Sequence, residues 1–218
     1  MKVFLTLFFL FIVNAAFGIV IEVTASESDA KIYANGVLIG TGKVKIEVMY
    51  NECVKVVVEK VGYISIERTY CRGKGIPFPP EKDFFKLEID DAFNSSISTN
   101  IANTDIEVKT DKTELEAWRT LSQIITSYFD VIEVTDKETG YLRTAWIGQG
   151  FAAGVTRTRL IVKLSSSEPL VYKVKLVSEY SKNAKTSIRA DEAFREWDRV
   201  LRKYENIISE MQSRMMKK

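Results

Sequence analysis

The sequence predicts an α+β protein: a small N-terminal β-sandwich followed by an antiparallel sheet covered by two helices. Apolar and polar residues alternate up to about residue 72, whereas apolar spacings of three and four residues appear after about residue 104. The composition is that of a globular protein, with 46% hydrophobic and 28% charged residues among 218. We therefore divide the chain into residues 1–18, 19–72, 73–103 and 104–218.

Residues 1–18 have the features of a cleavable signal peptide. Lys2 begins a short positive segment, an apolar run reaches Val13, and Ala16 and Gly18 place small residues where signal peptidase needs them. The run is shorter than the roughly 20 residues that span a bilayer. An uncleaved anchor is the alternative. We expect an exported protein, periplasmic, outer-membrane-associated or secreted, with no integral membrane span after signal cleavage.

Residues 19–72 are predicted to form several short strands, because apolar residues alternate along them. Asn35 and Gly36 both tolerate a positive φ and predict a tight hairpin, and the run from Gly40 to Gly42 predicts a second bend. Short strands of this kind bury one face each most simply in a β-sandwich.

Three segments of this region resemble the PEGA domain, a small β-sandwich of exported and surface proteins that are mostly prokaryotic. They are Ala30–Gly36, Gly40–Thr41 and Lys60–Tyr63. The tetrapeptide that names the family is replaced here by Glu27–Ala30, which keeps its alanine, and Gly42 stands in place of the usual proline after the bend. The resemblance implies a bacterial envelope interaction module that carries no catalytic residues.

The two cysteines are predicted to form a disulfide bond. An even number of cysteines in an exported protein favours a structural bridge. A hairpin centred on Gly62 places Cys53 directly opposite Cys71, with Lys55 and Glu67 on the solvent side. Two free thiols are the alternative.

Residues 73–103 are predicted to be a linker and loop region. Three of the four prolines fall between Pro77 and Pro80, next to Gly73 and Gly75. The end of the region, from about residue 94, is rich in Asn, Ser and Thr.

Residues 104–218 are predicted to run strand, helix, four strands, helix. Asp111 as N-cap and Glu114 three residues later fit a capping box at the start of a helix that ends near residue 129. The remaining elements are expected at 104–109, 131–135, 141–147, 156–164, 170–178 and 190–215. The order resembles the helix-grip domains of accessory lipoproteins that assist outer-membrane β-barrel assembly, in which a helix with a tryptophan, as Trp118 here, leads into a Gly-Tyr strand, as at Gly140–Tyr141.

The glycine-rich segment 148–154 invites comparison with a phosphate-binding loop. Such a loop leads into a helix. The residues that follow, from Thr156 to Val162, alternate as a strand instead. We therefore predict a flexible connection between strands and no nucleotide site.

Four basic residues form a candidate anion-binding strip, provided that their strands are neighbours: Arg143, Arg157, Arg159 and Lys163. Three of them share one face of a strand by the period of two. The strip could bind carboxylates or the phosphates of an envelope glycolipid. The alternative is a solvated face balanced by Glu133 and Glu138.

The last segment carries a continuous apolar seam at spacings of three and four residues, formed by Phe194, Trp197, Leu201, Tyr204, Ile208, Met211 and Met215. The seam either packs on its own sheet or meets a partner or a second copy of the chain. Trp197, Tyr204, Met211 and Met215 are the candidate partner contacts. All three tryptophans are expected to border the core of this segment.

The composition limits the function. Histidine is absent, which excludes Ser-His-Asp and Cys-His catalysis and imidazole metal sites, and the formal net charge is only +2. That charge gives no electrostatic argument for binding nucleic acid. We predict a non-enzymatic envelope protein that binds or assembles with an envelope protein or glycan and uses no metal or cofactor. A carbohydrate hydrolase acting through carboxylates, such as Asp90 and Asp91, is the alternative.

Overall fold

The computed structural model describes residues 18–216. The predicted signal peptide therefore lies, apart from Gly18, outside the described residues. The chain forms two compact units, which meet in the sequence between Ile89 and Asp90. Across residues 18–216, no helix is long and apolar enough to cross a membrane.

Unit 1, which ends at Ile89, consists of two sheets around one core. Its strands are β1 (Ile19–Ala25), β2 (Lys31–Ala34), β3 (Val37–Thr41), β4 (Lys43–Val48), β5 (Glu52–Glu59), β6 (Ile66–Arg72) and β7 (Lys82–Phe85). The first sheet has the order β4-β1-β7 and the second the order β3-β2-β5-β6. The predicted β-sandwich is thus confirmed.

The predicted turns of unit 1 are present. Asn35 and Gly36 join β2 to β3 with φ angles of 50° and 83°. Gly42 has a φ of 63°, and a side chain there would come within 2.4 Å of the Ser28 carbonyl oxygen. Both positions therefore need a residue that accepts a left-handed backbone.

The predicted disulfide bond is confirmed. Cys53 and Cys71 are direct partners in the antiparallel β5–β6 ladder, and they are bonded across 18 residues of sequence. Lys55 and Glu67 lie on the solvent side of the same hairpin, where their charged groups are 2.8 Å apart.

The predicted linker over 73–103 is wrong from Lys82 onward. β7 pairs in parallel with β1, and Phe85 and Leu87 are buried in the core of unit 1. Residues from Asp90 onward belong to unit 2. The strand was missed because its pairing partner, β1, lies about sixty residues earlier in the sequence and leaves no local signal.

Unit 2 begins at Asp90 and contains a seven-stranded antiparallel sheet. Its elements are α1 (Asp91–Asn94), β8 (Ser96–Ser98), β9 (Asp105–Lys109), α2 (Glu114–Tyr128), β10 (Ile132–Asp136), β11 (Tyr141–Thr144), β12 (Ile147–Phe151), β13 (Gly154–Ser167), β14 (Leu170–Ser181), β15 (Arg195–Glu196), β16 (Arg199–Leu201) and α3 (Ile207–Met215). Single 3₁₀ turns occupy Asp191–Ala193 and Arg202–Tyr204. The sheet has the order β10-β11-β13-β14-β15, with β12 paired to β13 and β9 to β14, while β8 and β16 form a separate pair.

The core of unit 2 lies between this sheet and helices α2 and α3. Leu160, Val162, Val174 and Leu176 supply one face of the two longest strands. Leu121, Ile124 and Ile125 of α2 and Ile208, Met211 and Met215 of α3 pack in the same core. The α+β class is confirmed.

Helix α2 begins two residues later than predicted. Its N-cap is Thr113, whose hydroxyl accepts a hydrogen bond from the Glu116 backbone N–H, while the Glu116 carboxylate accepts one from the Thr113 backbone N–H. This reciprocal arrangement satisfies two backbone donors that the first turn would otherwise leave free. Asp111 lies before the helix.

The predicted long helix over 190–215 is wrong, because only Ile207–Met215 is α-helical in this range. The backbone N–H of Trp197 donates to the carbonyl of Ser178, β15 pairs with β14, and β16 pairs with β8. Pairing with distant strands therefore replaces the helix that the local spacing favours.

The predicted flexible connection over 148–154 is also wrong. Residues Ile147–Phe151 form β12, which pairs with β13 through a tight turn at residues 152 and 153. Glycine suits position 148 of this strand, because a larger residue would place its Cβ within 2.4 Å of the Ile188 side chain.

Candidate functional site

The four residues of the predicted strip lie together on one side of the unit 2 sheet. We call the side that α2 and α3 do not cover the outer face. Arg157, Arg159 and Lys163 point to it from β13, and Arg143 joins them because it pairs with Ile161. The predicted condition, that these strands be neighbours, is therefore met.

Arg157 has every part of its guanidinium group occupied. Its Nε and Nη2 lie 2.7 and 2.6 Å from Oε2 of Glu179, its partner on β14. Its Nη1 donates to the Ile188 carbonyl at 2.8 Å and to the Asp191 carboxylate at 2.6 Å. Since the side chain is only 3% exposed, Arg157 is a structural residue and not a free anion-binding group.

Two aromatic rings flank the same guanidinium group. Cζ of Arg157 lies 4.2 Å from the ring centre of Trp146 and 4.2 Å from that of Phe194. Cation–π contacts of this kind contribute most where water is excluded. They explain how an arginine is buried on a face that carries several charges.

Arg159, two residues further along β13, has fewer contacts than Arg157. Its Cζ lies 4.1 Å from the Trp146 ring, but its Nε is buried with no hydrogen-bond partner, and no carboxylate among residues 18–216 forms an ion pair with it. Burial, followed by repulsion from Arg143, lowers the pKa of Arg159. The group still remains protonated near neutral pH, so the outer face holds a cation that no carboxylate contacts directly, although Glu179 and Glu133 lie close enough to act on it.

The other strip residues are more exposed. Arg143 donates through Nε to Glu133 at 3.0 Å, as the solvated-face alternative predicts for that pair. Lys163 is exposed and pairs across the ladder with Lys173, so that two cations face each other. Nζ of Lys175, two residues further along β14, lies 3.3 Å from a carboxylate oxygen of Asp105.

Two apolar residues neighbour Arg159 in the sheet, in addition to the charged groups of the outer face. Its cross-strand partner is Val177, and Ile161 is the next residue of β13 on the outer face. Both are half-buried. With Trp146, whose ring contacts the guanidinium group, they are the apolar neighbours of Arg159 on the outer face.

The apolar seam of the last segment is buried and not available to a partner. Tyr204, Met211 and Met215 are at most 2% exposed, and Trp197 packs against the same core. The alternative that the seam packs inside its own unit is therefore confirmed, and Tyr204, Met211 and Met215 are wrong as exposed partner contacts. An oligomer formed through the C-terminal helix stays a prediction. Phe194 leaves the seam to stack on Arg157 at the outer face.

Sequence reasoning missed Trp146, Glu179, Asp191 and Phe194 as parts of this site. It placed all three tryptophans at the core, and Trp118 and Trp197 do pack there. Trp146 instead contacts the two arginines. The period of two along residues 146–150 could have shown this. It puts Trp146 on the same side as Gly148, and Gly148 pairs with Arg157 of β13.

The carboxylates considered for hydrolysis have local roles. The Asp90 carboxylate caps α1 by accepting hydrogen bonds from the backbone N–H groups of Ala92 and Phe93. Asp91 lies exposed in the first turn of that helix. Among residues 18–216, no three acidic or cysteine side chains cluster closely enough to hold a metal ion.

No protein-family model matches the chain, and no curated protein is found to be similar to it in sequence. The PEGA and helix-grip resemblances therefore stay predictions.

Proposed function

We propose that this chain is an exported, non-enzymatic binding or assembly module of the bacterial cell envelope, and that Arg159 binds an anionic group of its partner. The observation that carries the proposal is the contrast between neighbouring arginines. Arg143 and Arg157 have carboxylate partners within the chain, whereas Arg159 has none in the part that the structure describes.

The export part of the proposal rests on two observations. The Cys53–Cys71 disulfide bond fits a protein that folds in an oxidising compartment. The first 18 residues carry the signal-peptide pattern. A periplasmic or outer-membrane-associated location, with a PEGA-like unit 1, follows from combining these observations with the family resemblance.

The chemistry of Arg159 suits a carboxylate or a phosphate. A guanidinium group offers its N–H donors in one plane, and this arrangement matches two oxygens of such an anion. Arg143 and Lys163 on the same face add to the positive field that would attract the anion. An envelope protein or a glycan could supply the anionic group, and the interaction needs no cofactor.

Anion titration followed by NMR tests the proposal. The exported chain is titrated with sodium citrate and with sodium pyrophosphate at constant ionic strength. The signals observed are the Arg159 Nε–H and the Trp146 indole N–H, assigned with the Arg159→Gln and Trp146→Phe variants. We expect a saturable shift of both signals, because the bound anion contacts the guanidinium group that lies against the ring.

The matched control is Arg119→Gln, which removes an exposed arginine from α2, a helix on the other side of the sheet. This variant should bind like the wild type, whereas Arg159→Gln should lose the saturable shift of the Trp146 signal. Equal binding by the two variants would contradict the assignment of the site. Turnover of an envelope polysaccharide by the purified protein would instead favour the hydrolase.

A further inference from the structure

Two arginines of β13 lie on the outer face, and they differ in their contacts. The guanidinium group of one is fully hydrogen-bonded, whereas that of the other has no carboxylate partner. Arg157 contacts two rings, two carboxylates and one carbonyl oxygen. Arg159 contacts one of those rings and, among residues 18–216, no carboxylate. Both side chains stand on the same face and against the same tryptophan, so the environment of Arg157 indicates what Arg159 can accept.

A single short segment completes the environment of Arg157. Its carbonyl comes from Ile188, its second carboxylate from Asp191 and its second ring from Phe194. The Ile188 side chain lies against Gly148 of β12, where any larger residue would displace it. This segment, residues 188–194, therefore binds across the outer face as a peptide ligand would, with an acid and an aromatic ring three residues apart.

We infer that the partner of this protein is a polypeptide segment that presents an aromatic ring and a neighbouring carboxylate to Arg159. This inference rests on the proposed function and deepens it by naming the ligand. The ring stacks on the guanidinium plane as Phe194 does on Arg157, and the carboxylate accepts hydrogen bonds from the edge of that plane. The two contacts are compatible because the N–H donors point along the plane and leave its faces to the rings.

The surroundings of Arg159 favour such a ligand over a bare phosphate. Val177 and Ile161 are half-buried apolar neighbours on the outer face. A ring placed on Arg159 would cover part of their exposed surface, which adds a hydrophobic contribution that a phosphate lacks. The lowered pKa of Arg159 agrees with this arrangement, because repulsion from Arg143 contributes to it after burial, and a bound carboxylate would offset that repulsion.

The experiment uses the full exported chain and a pentapeptide with blocked ends. The peptide has the sequence ADEAF, which is that of residues 190–194. Each of two matched peptides lacks one of the two recognised groups: ADEAA lacks the aromatic ring and ANQAF lacks the carboxylates. Binding is followed through the Arg159 Nε–H and Trp146 indole N–H signals, with inorganic phosphate as a fourth probe.

We expect ADEAF to shift both signals saturably, and ADEAA and ANQAF to bind at least fivefold more weakly. Arg159→Gln should abolish the ADEAF-dependent shift of the Trp146 signal, and Arg119→Gln should preserve it.

If ADEAA binds as tightly as ADEAF, the ring is not recognised and this inference fails, while the anion site stands. Tighter binding of phosphate than of ADEAF would show that the site prefers a phosphate group to this peptide and would also overturn the inference. If no probe shifts either signal, both this inference and the proposed function fail.

Discussion

Arg157 and Arg159 show that the role of a residue in this protein depends on the groups around it and not on its type. They are two residues apart on one strand and contact the same indole ring. Arg157 is held by Glu179 and Asp191, so removing it would leave two carboxylates without their cation. Arg159 has no such partner in the described chain, so removing it breaks no ion pair there.

The stabilities of two variants should therefore differ. Arg157→Gln should lower the free energy of unfolding of unit 2 by about 2 kcal/mol, because the partly buried Glu179 loses its charged hydrogen-bond donor while Asp191 is 80% exposed. Arg159→Gln should change it by less than about 1 kcal/mol. Urea unfolding followed by tryptophan fluorescence measures both values, because all three tryptophans belong to unit 2. A cost for Arg159→Gln as large as that for Arg157→Gln would make Arg159 a structural residue.

Asp83 in β7 makes unit 1 sensitive to acid. Its carboxylate bonds with Arg68 and accepts a hydrogen bond from the Tyr70 hydroxyl at 2.6 Å. Burial by itself would raise the pKa of Asp83, but the hydrogen bonds from Arg68 and Tyr70 outweigh it and hold the pKa below its ordinary value. The folded unit thus binds the proton of Asp83 less tightly than the unfolded chain does.

The stability that Asp83 contributes should be present above about pH 4, the pKa of an aspartate in an unfolded chain, and should be lost as the pH falls through the lower folded pKa. Asp83→Asn should lower the stability of unit 1 at pH 7 by about 2 kcal/mol and flatten its decline below pH 4. Hydrogen exchange of the β1 and β7 amides measures this, since unit 1 has no tryptophan. Parallel pH curves for the variant and the wild type would contradict this explanation.

Among the elements, α2 shows how two local signals compete. Asp111 and Glu114 fit a capping box, and so do Thr113 and Glu116, which overlap with them in sequence. The spacing of the apolar residues is compatible with either Asp111 or Thr113 as the N-cap. The choice depends on where the buried residues Ala117 and Leu121 meet the core, and this is fixed by packing and not by the local sequence.

Single substitutions test which cap stabilises α2. Thr113→Ala should lower the free energy of unfolding by about 1 kcal/mol, because the side-chain acceptor of the first turn is lost. Asp111→Ala, which removes a residue before the helix, should change it by only a few tenths of that value. Urea unfolding followed by fluorescence measures both variants, and a larger effect of Asp111→Ala would restore the earlier helix start.

Elements that depend on neighbours in sequence could be predicted, and elements that depend on distant partners could not. The Asn35–Gly36 turn and the cysteine pair follow from local backbone preference and from the register of one hairpin. β7 and β16 pair with residues far away in the chain, and β15 pairs with β14 across a loop that carries no tight-turn signal. The basic strip was predictable by its period of two, but its division into occupied and free arginines depends on residues 188–194.

For the whole molecule, the boundary between the units lies at Asp90 and not in the proline-rich segment. Lys74 and Gly75 lie in an exposed loop, and the chain then returns to unit 1 as β7. Phe85 is completely buried there and Leu87 is 6% exposed. A break in the loop therefore leaves both sides anchored in the same core.

Limited trypsin digestion tests this organisation on the intact chain. Cleavage after Lys74 should give two pieces that separate on a denaturing gel but elute together from a size-exclusion column under native conditions. The reason is that β7 stays paired with β1 and its buried side chains stay in the core. Separation of the pieces on the native column would show that the proline-rich segment is a linker between independent parts.

The central claim is that the outer face of unit 2 binds an anionic partner through Arg159. The most direct test compares the urea unfolding midpoint of unit 2 with and without sodium citrate, since a ligand that binds only the folded state stabilises it. The general stabilisation by citrate is common to all variants. We predict that citrate raises the unfolding midpoint further in the wild type and in Arg119→Gln than in Arg159→Gln, which should show only the general stabilisation. The same increase in all three proteins would contradict the claim.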